Sequence, residues 1–229
     1  VILHGNPKKV LILGGGEGAV LRELCRYNGI NQITMVDIDG EVVELCREHL
    51  PEFHQGSFYD SRVELLHMDA RQYLAETNQK FDLIFSDLTE PVEEGPSKLL
   101  FTKEFYSMAK KKLDFGGIFT TTAGGLSLDY MDMHAAIRNT LKCCFTAVRS
   151  YHTFIPSFDC SWGYLIACEN GDVFNISCEE VNRRLENIAQ KLKFYDGETH
   201  TGMFCIPKDN GEALEVNITI IEDDKPVSF

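Results

Sequence analysis

The sequence predicts an α/β fold in which a mostly parallel, twisted sheet carries helices on both faces and ends in an antiparallel edge pair. Short aliphatic and β-branched runs alternate with helically spaced stretches through the first two-thirds of the chain, the pattern of βαβ units with right-handed crossovers. The first such run empties directly into Gly14-Gly15-Gly16-Glu17-Gly18. The last third holds two extended runs with no helical pattern between them, which reads as a hairpin at one edge.

Val10-Leu11-Ile12-Leu13 is an apolar run of the buried-strand type, and Val20, Leu21, Leu24 and Cys25 then recur at helical spacing. Residues 33–37 form the second strand, and Val42, Val43, Leu45 and Cys46 mark a helix that stops near Pro51. Two more strands, 63–66 and 81–85, flank a short helix at 70–74. A helix over 103–113 leads through Gly116-Gly117 to a fifth strand at 118–122. Another helix near 130–141 precedes the extended runs 146–154 and 163–167. Val181, Leu185, Ile188 and Leu192 share one face of an amphipathic helix predicted over 179–192. One domain is expected over 1–210, with 211–229 as a loosely ordered acidic tail.

The 22 Lys and Arg stand against 35 Asp and Glu, a formal charge of −13. Such a surface repels nucleic acid and draws cationic partners by electrostatic steering. No apolar run approaches the roughly 20 residues of a membrane span, so no membrane partner is expected. The opening Val1-Ile2-Leu3, without Met, basic n-region or h-region, reads as a trimmed piece with no signal peptide. Eight cysteines are scattered with no Cys-x-x-Cys pair and no His at zinc-finger spacing. Free thiols, no metal and a reducing, cytoplasmic compartment follow as expectations.

A strand that runs into Gly14, Gly15 and Gly16 brings bare backbone against a ligand at the carboxyl ends of the strands. Asp37 ends the next strand about 20 residues on, where a carboxylate takes both hydroxyls of a ribose. Asp69 follows the third strand, placed either to accept from an adenine amino group or to cap a helix. An adenosine compound is the reading that joins these acids. Methyltransferases commonly carry an acid where Ile12 stands; here the acid is Glu17, inside the loop. A carboxylate there repels the amino-acid tail of S-adenosylmethionine but welcomes a tail that keeps its amine and has lost its carboxyl. That is decarboxylated S-adenosylmethionine, an aminopropyl donor and a co-substrate rather than a cofactor.

The fourth strand continues as Asp87-Leu88-Thr89-Glu90-Pro91, with Glu93 and Glu94 close behind. With the Gly14–Gly18 loop and Asp37-Ile38-Asp39, this resembles the spermidine/spermine synthase family of aminopropyltransferases from about residue 6 to 195. Ile155-Pro156-Ser157-Phe158 and Trp162-Gly163 look most like thermospermine synthases. The resemblance implies a Rossmann-like, methyltransferase-type fold, a cytoplasmic homodimer or homotetramer, and methylthioadenosine as released product. It implies Asp87 as the base, and Gly14, Gly15, Gly16, Glu17, Asp37, Ile38, Asp69, Ala70 and Asp87 around the donor. Glu17, Asp87, Glu90, Phe158 and Trp162 would line the polyamine. Glu90 is one methylene longer than the family's usual Asp, and Phe158 lacks the hydroxyl that spermidine synthases often present to a short diamine. The family's N-terminal β-rich segment, with its Gln and Tyr contacts, is expected to be missing here. Spermidine is the expected acceptor, giving thermospermine or spermine. A spermidine synthase acting on putrescine, a small-molecule methyltransferase and a non-catalytic polyamine-binding subunit are the alternatives. The histidines and the Lys110-Lys111-Lys112 run read as packing, surface and helix-end charge.

Overall fold

The computed structural model describes residues 1–92, 95–188 and 192–227. The glycine turn joins β1 (Lys9–Gly14) to α1 (Ala19–Cys25), and β2 (Gln32–Asp37) leads into α2 (Gly40–His49) and α3 (Pro51–His54). After β3 (Val63–His67), α4 (Ala70–Glu76), β4 (Phe81–Asp87) and α5 (Lys103–Lys112), the chain enters β5 (Leu113–Gly125) and α6 (Asp132–Lys142). The hairpin is β6 (Ala147–Ile155) with β7 (Cys160–Cys168), followed by α7 (Cys178–Leu185), α8 (Gly197–Met203) and α9 (Lys208–Val216).

The seven strands lie in the order β3-β2-β1-β4-β5-β7-β6. The first five in sequence pair in parallel, and β7 runs antiparallel to both β5 and β6. Chain order reverses between β1 and β4, which leaves a crevice outside their carboxyl ends, where ligands of open α/β sheets sit.

Alternation along the strands divides the core. Leu11, Leu13, Ile84 and Phe119 face α4, α5 and α6, while Val10, Ile12, Leu83 and Ile118 face Leu21 and Leu24 of α1. On the first face Phe119 meets Tyr106 edge-on at 5.5 Å and stacks near Phe145 at 6.0 Å. Each such ring contributes roughly 1.5–3 kcal/mol by burial.

Several sequence expectations are corrected. The stretch after 210 is not loose: Leu214 and Ile221 are buried, and the Asp223 carboxylate takes Arg71 and the Thr102 hydroxyl, the latter at 2.7 Å. Thr102 also caps α5 through Phe105 N–H, so the tail clamps that helix start. The helix of residues 179–192 ends at Leu185, its last turn replaced by a bridge from Ile188 to Tyr27; residues 189–191 lie outside the described set. Lys110 does more than complement a helix end, since its ammonium pairs with Glu169 at 2.9 Å and bonds the Cys144 carbonyl at 2.7 Å. Strand β5 reaches from Leu113, five residues before the predicted start at Ile118, through a bulge opposite Phe81–Leu83.

Candidate active site

The glycine turn exists because β4 leaves no room beside it. Gly14 pairs with Asp87 across the β1–β4 ladder and has φ of 84°. A Cβ on Gly14 would stand 2.1 Å from the Asp87 carbonyl oxygen. The next amide, Gly15 N–H, donates to that same carbonyl at 3.0 Å. On the other flank, a Cβ at Gly16 would lie 3.1 Å from an Asp37 carboxylate oxygen. The loop is thus threaded between the Asp87 backbone carbonyl and the Asp37 carboxylate, and only bare backbone passes.

Asp37 is held by its own turn, accepting from Asp39 N–H at 2.9 Å, while Met68 N–H reaches its carbonyl at 3.1 Å. Asp39 caps α2 through Val42 N–H. Asp69 caps α4, accepting from Gln72 N–H at 2.7 Å, and the same residue lines the crevice, so the cap expected from the sequence is present. The crevice is a cavity of about 510 Å³ that brings together Gly14, Gly15, Gly16, Glu17, Asp37, Ile38, Asp69, Ala70 and Asp87. Every residue expected around the donor lies on one wall or another of it.

Glu17, Asp37, Asp39, Asp69 and Asp87 line this cavity, and among the described residues no lysine, arginine or histidine does. Such a lining disfavours a pyrophosphate or a free carboxylate and favours a cation. Asp87 feels it most. Burial first, then the charges of Glu17 and Asp37, raise its carboxyl from the usual 3.8 to about 6. A carboxylate poised there holds a proton readily yet is mostly ionised at neutral pH, the condition of a general base.

Glu90, Phe158 and Trp162 are not on the cavity wall but gather at the carboxyl end of β5. A Cβ on Gly124 would lie 3.5 Å from Glu90 Oε1, and Gly125 pairs with Trp162. The Glu90 loop is pinned from behind by the buried Ser97, whose hydroxyl donates to the Glu90 carbonyl at 2.9 Å. Phe158 packs on Trp162 with ring centroids 4.5 Å apart. Asp87 is the link between the two groups, because it follows Ser86, which pairs with Thr121 of β5. Glu93 and Glu94 lie outside the described residues.

The sequence reading missed the apolar wall. Leu88, Pro96 and Leu100 line the cavity, as do Val42 and Cys46, which sit one turn apart on α2. The sequence reads those two, with Val43 and Leu45, as marking a helix; of the four only Val43 is buried. The i, i+4 spacing of Val42 and Cys46, off the Val43 stripe, was the available signal. His134 is a buried packing group: its Nε2 meets Ser150 Oγ at 2.8 Å, and burial lowers its pKa to about 3, so it stays neutral. Among the described residues no cluster of His, Cys, Asp and Glu is placed to hold a metal ion.

Comparison with known proteins gives a consistent result. A family model described as the spermine/spermidine synthase domain matches residues 1–179. A protein named polyamine aminopropyltransferase from Sulfurisphaera tokodaii is 41% identical over 224 residues, covering 97% of this chain and 74% of that protein. Polyamine aminopropyltransferase 2 from Pseudomonas aeruginosa is 36% identical over 99% of this chain and 65% of its own length. Among solved structures, a spermidine synthase in complex with the transition-state analogue AdoDATO superposes with a TM-score of 0.83 at 30% identity, covering 94% of this chain and 72% of that one. Spermidine synthase from Thermotoga maritima gives a TM-score of 0.81 at 29% identity, covering 94% of this chain and 71% of that one. The chain belongs to the spermine/spermidine synthase family.

Proposed function

We propose that this chain transfers an aminopropyl group from decarboxylated S-adenosylmethionine to a polyamine, with spermidine preferred over putrescine and thermospermine or spermine as product. The observation that carries the reading is Asp87: a half-buried carboxylate with pKa near 6, at the junction of an acid-lined cavity and a carboxylate–aromatic group.

In the reaction the lone pair of an acceptor amine attacks the methylene carbon next to the sulfonium. The carbon–sulfur bond breaks, its electrons pass to sulfur, and neutral methylthioadenosine leaves. A sulfonium departs without a general acid. The acceptor, however, arrives as an ammonium with pKa near 10 and no lone pair. Asp87 takes that proton, worth about 10²–10⁴-fold in rate when the base is within hydrogen-bond reach. Glu17 attracts the donor's amine, Asp37 suits the ribose hydroxyls, and Asp69 with Ala70, Ile38 and Leu88 suits the adenine. Holding the amine in line with the carbon accounts for several kcal/mol more of the barrier.

The acceptor preference rests on Glu90 and Phe158. Glu90 sets a second carboxylate beyond Asp87 toward Gly124, so a triamine finds separated partners that a diamine does not use as fully. Phe158 offers no hydroxyl for a short diamine. The free cysteines fit a reducing compartment, and we assign the enzyme to the cytoplasm as a homodimer or homotetramer, readable by light scattering. The test is kcat/KM for spermidine and putrescine at matched pH and ionic strength, with the product identified by chromatography. A spermidine advantage of about tenfold or more is expected, each ammonium–carboxylate contact contributing on the order of 1–3 kcal/mol. Equal values, or a putrescine advantage, overturn the acceptor assignment and leave the aminopropyl chemistry standing.

A further inference from the structure

An indole has a single N–H and no acceptor, and a half-buried one needs a partner. Trp162 finds Thr122 Oγ1 at 2.8 Å. Thr122 stands on β5 directly after Thr121, and Thr121 pairs with Ser86, the residue before Asp87. One threonine thus stands one residue beyond the β5 partner of Ser86 and is the hydrogen-bond partner of the acceptor-side ring.

Among the described residues the neighbours of the ring offer its N–H no other hydrogen bond; Thr153 of β6 is registered opposite Trp162 on one side. Phe158 lies 4.5 Å away but is 55% exposed on the β6–β7 turn, and the β5 residue registered opposite Trp162 is Gly125, which has no side chain. The sheet has no need of the Thr122 hydroxyl. Thr122's backbone carbonyl receives the neighbouring Thr121 hydroxyl at 3.0 Å, whereas Thr122 Oγ1 takes the indole. Nor does the proton transfer described above use it.

We propose that Thr122 is a positioning residue for the acceptor: its hydroxyl locks the Trp162 indole so that the Phe158–Trp162 pair presents a fixed wall beside Asp87. Acceptor affinity, and with it discrimination by acceptor length, then depends on a group that touches neither donor nor reacting atoms. This rests on the reading of Phe158 and Trp162 as the acceptor wall.

Trp162 is the only tryptophan in the chain, so its emission, excited at 295 nm, reports this ring alone. Thr122→Val keeps the size of the side chain and removes the hydroxyl; Thr122→Ser keeps the hydroxyl. In Thr122→Val the emission of Trp162 shifts and acceptor KM rises about three- to tenfold, the effect of one lost hydrogen bond. Donor KM stays within about twofold, because the cavity wall does not include Thr122. Thr122→Ser restores both the emission and the acceptor KM. Wild-type emission and wild-type acceptor KM in a folded Thr122→Val overturn the proposal; should that variant not fold, Thr122→Ala is measured against the same two readouts. If spermidine leaves Trp162 emission unchanged in wild-type protein that turns spermidine over, the ring is not at the acceptor, and this proposal falls while the aminopropyl reaction stands.

Discussion

Replacing Asp87 by Asn should separate stability from turnover, because the two pull in opposite directions at this position. Its carboxyl is raised from 3.8 to about 6 by burial and by Glu17 and Asp37. A folded-state pKa above the unfolded one means that stability is fully present below about pH 4 and is lost as pH rises to about 6. The loss at neutral pH is at most about 3 kcal/mol, from 1.36 kcal/mol per pH unit of displacement. Partial solvent access at the crevice brings the expected effect to about 1–3 kcal/mol. An amide carries no charge and escapes this cost. Asp87→Asn should therefore melt about 2–12 °C above wild type at pH 7.5, at 2–4 °C per kcal/mol for a chain of this size. The gain should shrink toward zero at pH 4. Turnover at pH 7.5 should fall at least about 10²-fold, with donor affinity changed far less. Thermal unfolding followed by circular dichroism at the two pH values, with steady-state kinetics beside it, reads all three. A variant no more stable than wild type at pH 7.5, or equally stabilised at both pH values, refutes the electrostatic reasoning. Near-normal turnover moves the base elsewhere, Glu90 being the next carboxylate.

The same Asp87 value gives kcat/KM for the acceptor an acid limb that rises about tenfold per pH unit and breaks near 6; a wild-type profile flat between pH 5 and 7 would contradict it. Gly14→Ala places a Cβ 2.1 Å from the Asp87 carbonyl at positive φ, so it should cost about 2–4 kcal/mol in urea unfolding or abolish donor binding; a stable variant with normal donor affinity would disprove the packing described for the turn. Ile221→Ala should cost about 2–4 kcal/mol as a core truncation, whereas a tail free of the core would give less than about 0.5.

What was legible in the sequence was local. The Gly14–Gly18 turn, Asp37, Asp69 and Asp87 each sit where a strand ends, and a strand followed by glycine or by a helix start writes that end into a few consecutive residues. Parallel strand order from alternating elements puts those ends on one side, so the donor cavity follows with little else needed. What was not legible depends on contacts far apart in the chain. Ile221 enters the core against helices more than 80 residues earlier, bonding Thr140 Oγ1 through its N–H, and an acidic flanking composition hides it. The nearness of Glu90 to Gly124 arises only when β4 pairs in parallel with β5, and that of Trp162 to Thr122 only when β7 pairs antiparallel with β5 across a bulge. Arg62, which gathers the Cys25, Tyr27 and Ile30 carbonyls while paired to Asp60, reads in sequence as one more surface charge.

Donor choice tests the chemistry most directly. The wild-type enzyme is incubated with spermidine and, in separate reactions, with decarboxylated and intact S-adenosylmethionine, and products are resolved by chromatography with mass detection. With Glu17 inside the loop and Ile12 where an acid would otherwise stand, the decarboxylated donor should yield methylthioadenosine and an aminopropyl-extended polyamine in equal amounts, and the intact donor should yield neither. Methyl transfer from intact S-adenosylmethionine, with the decarboxylated form unused, would contradict it.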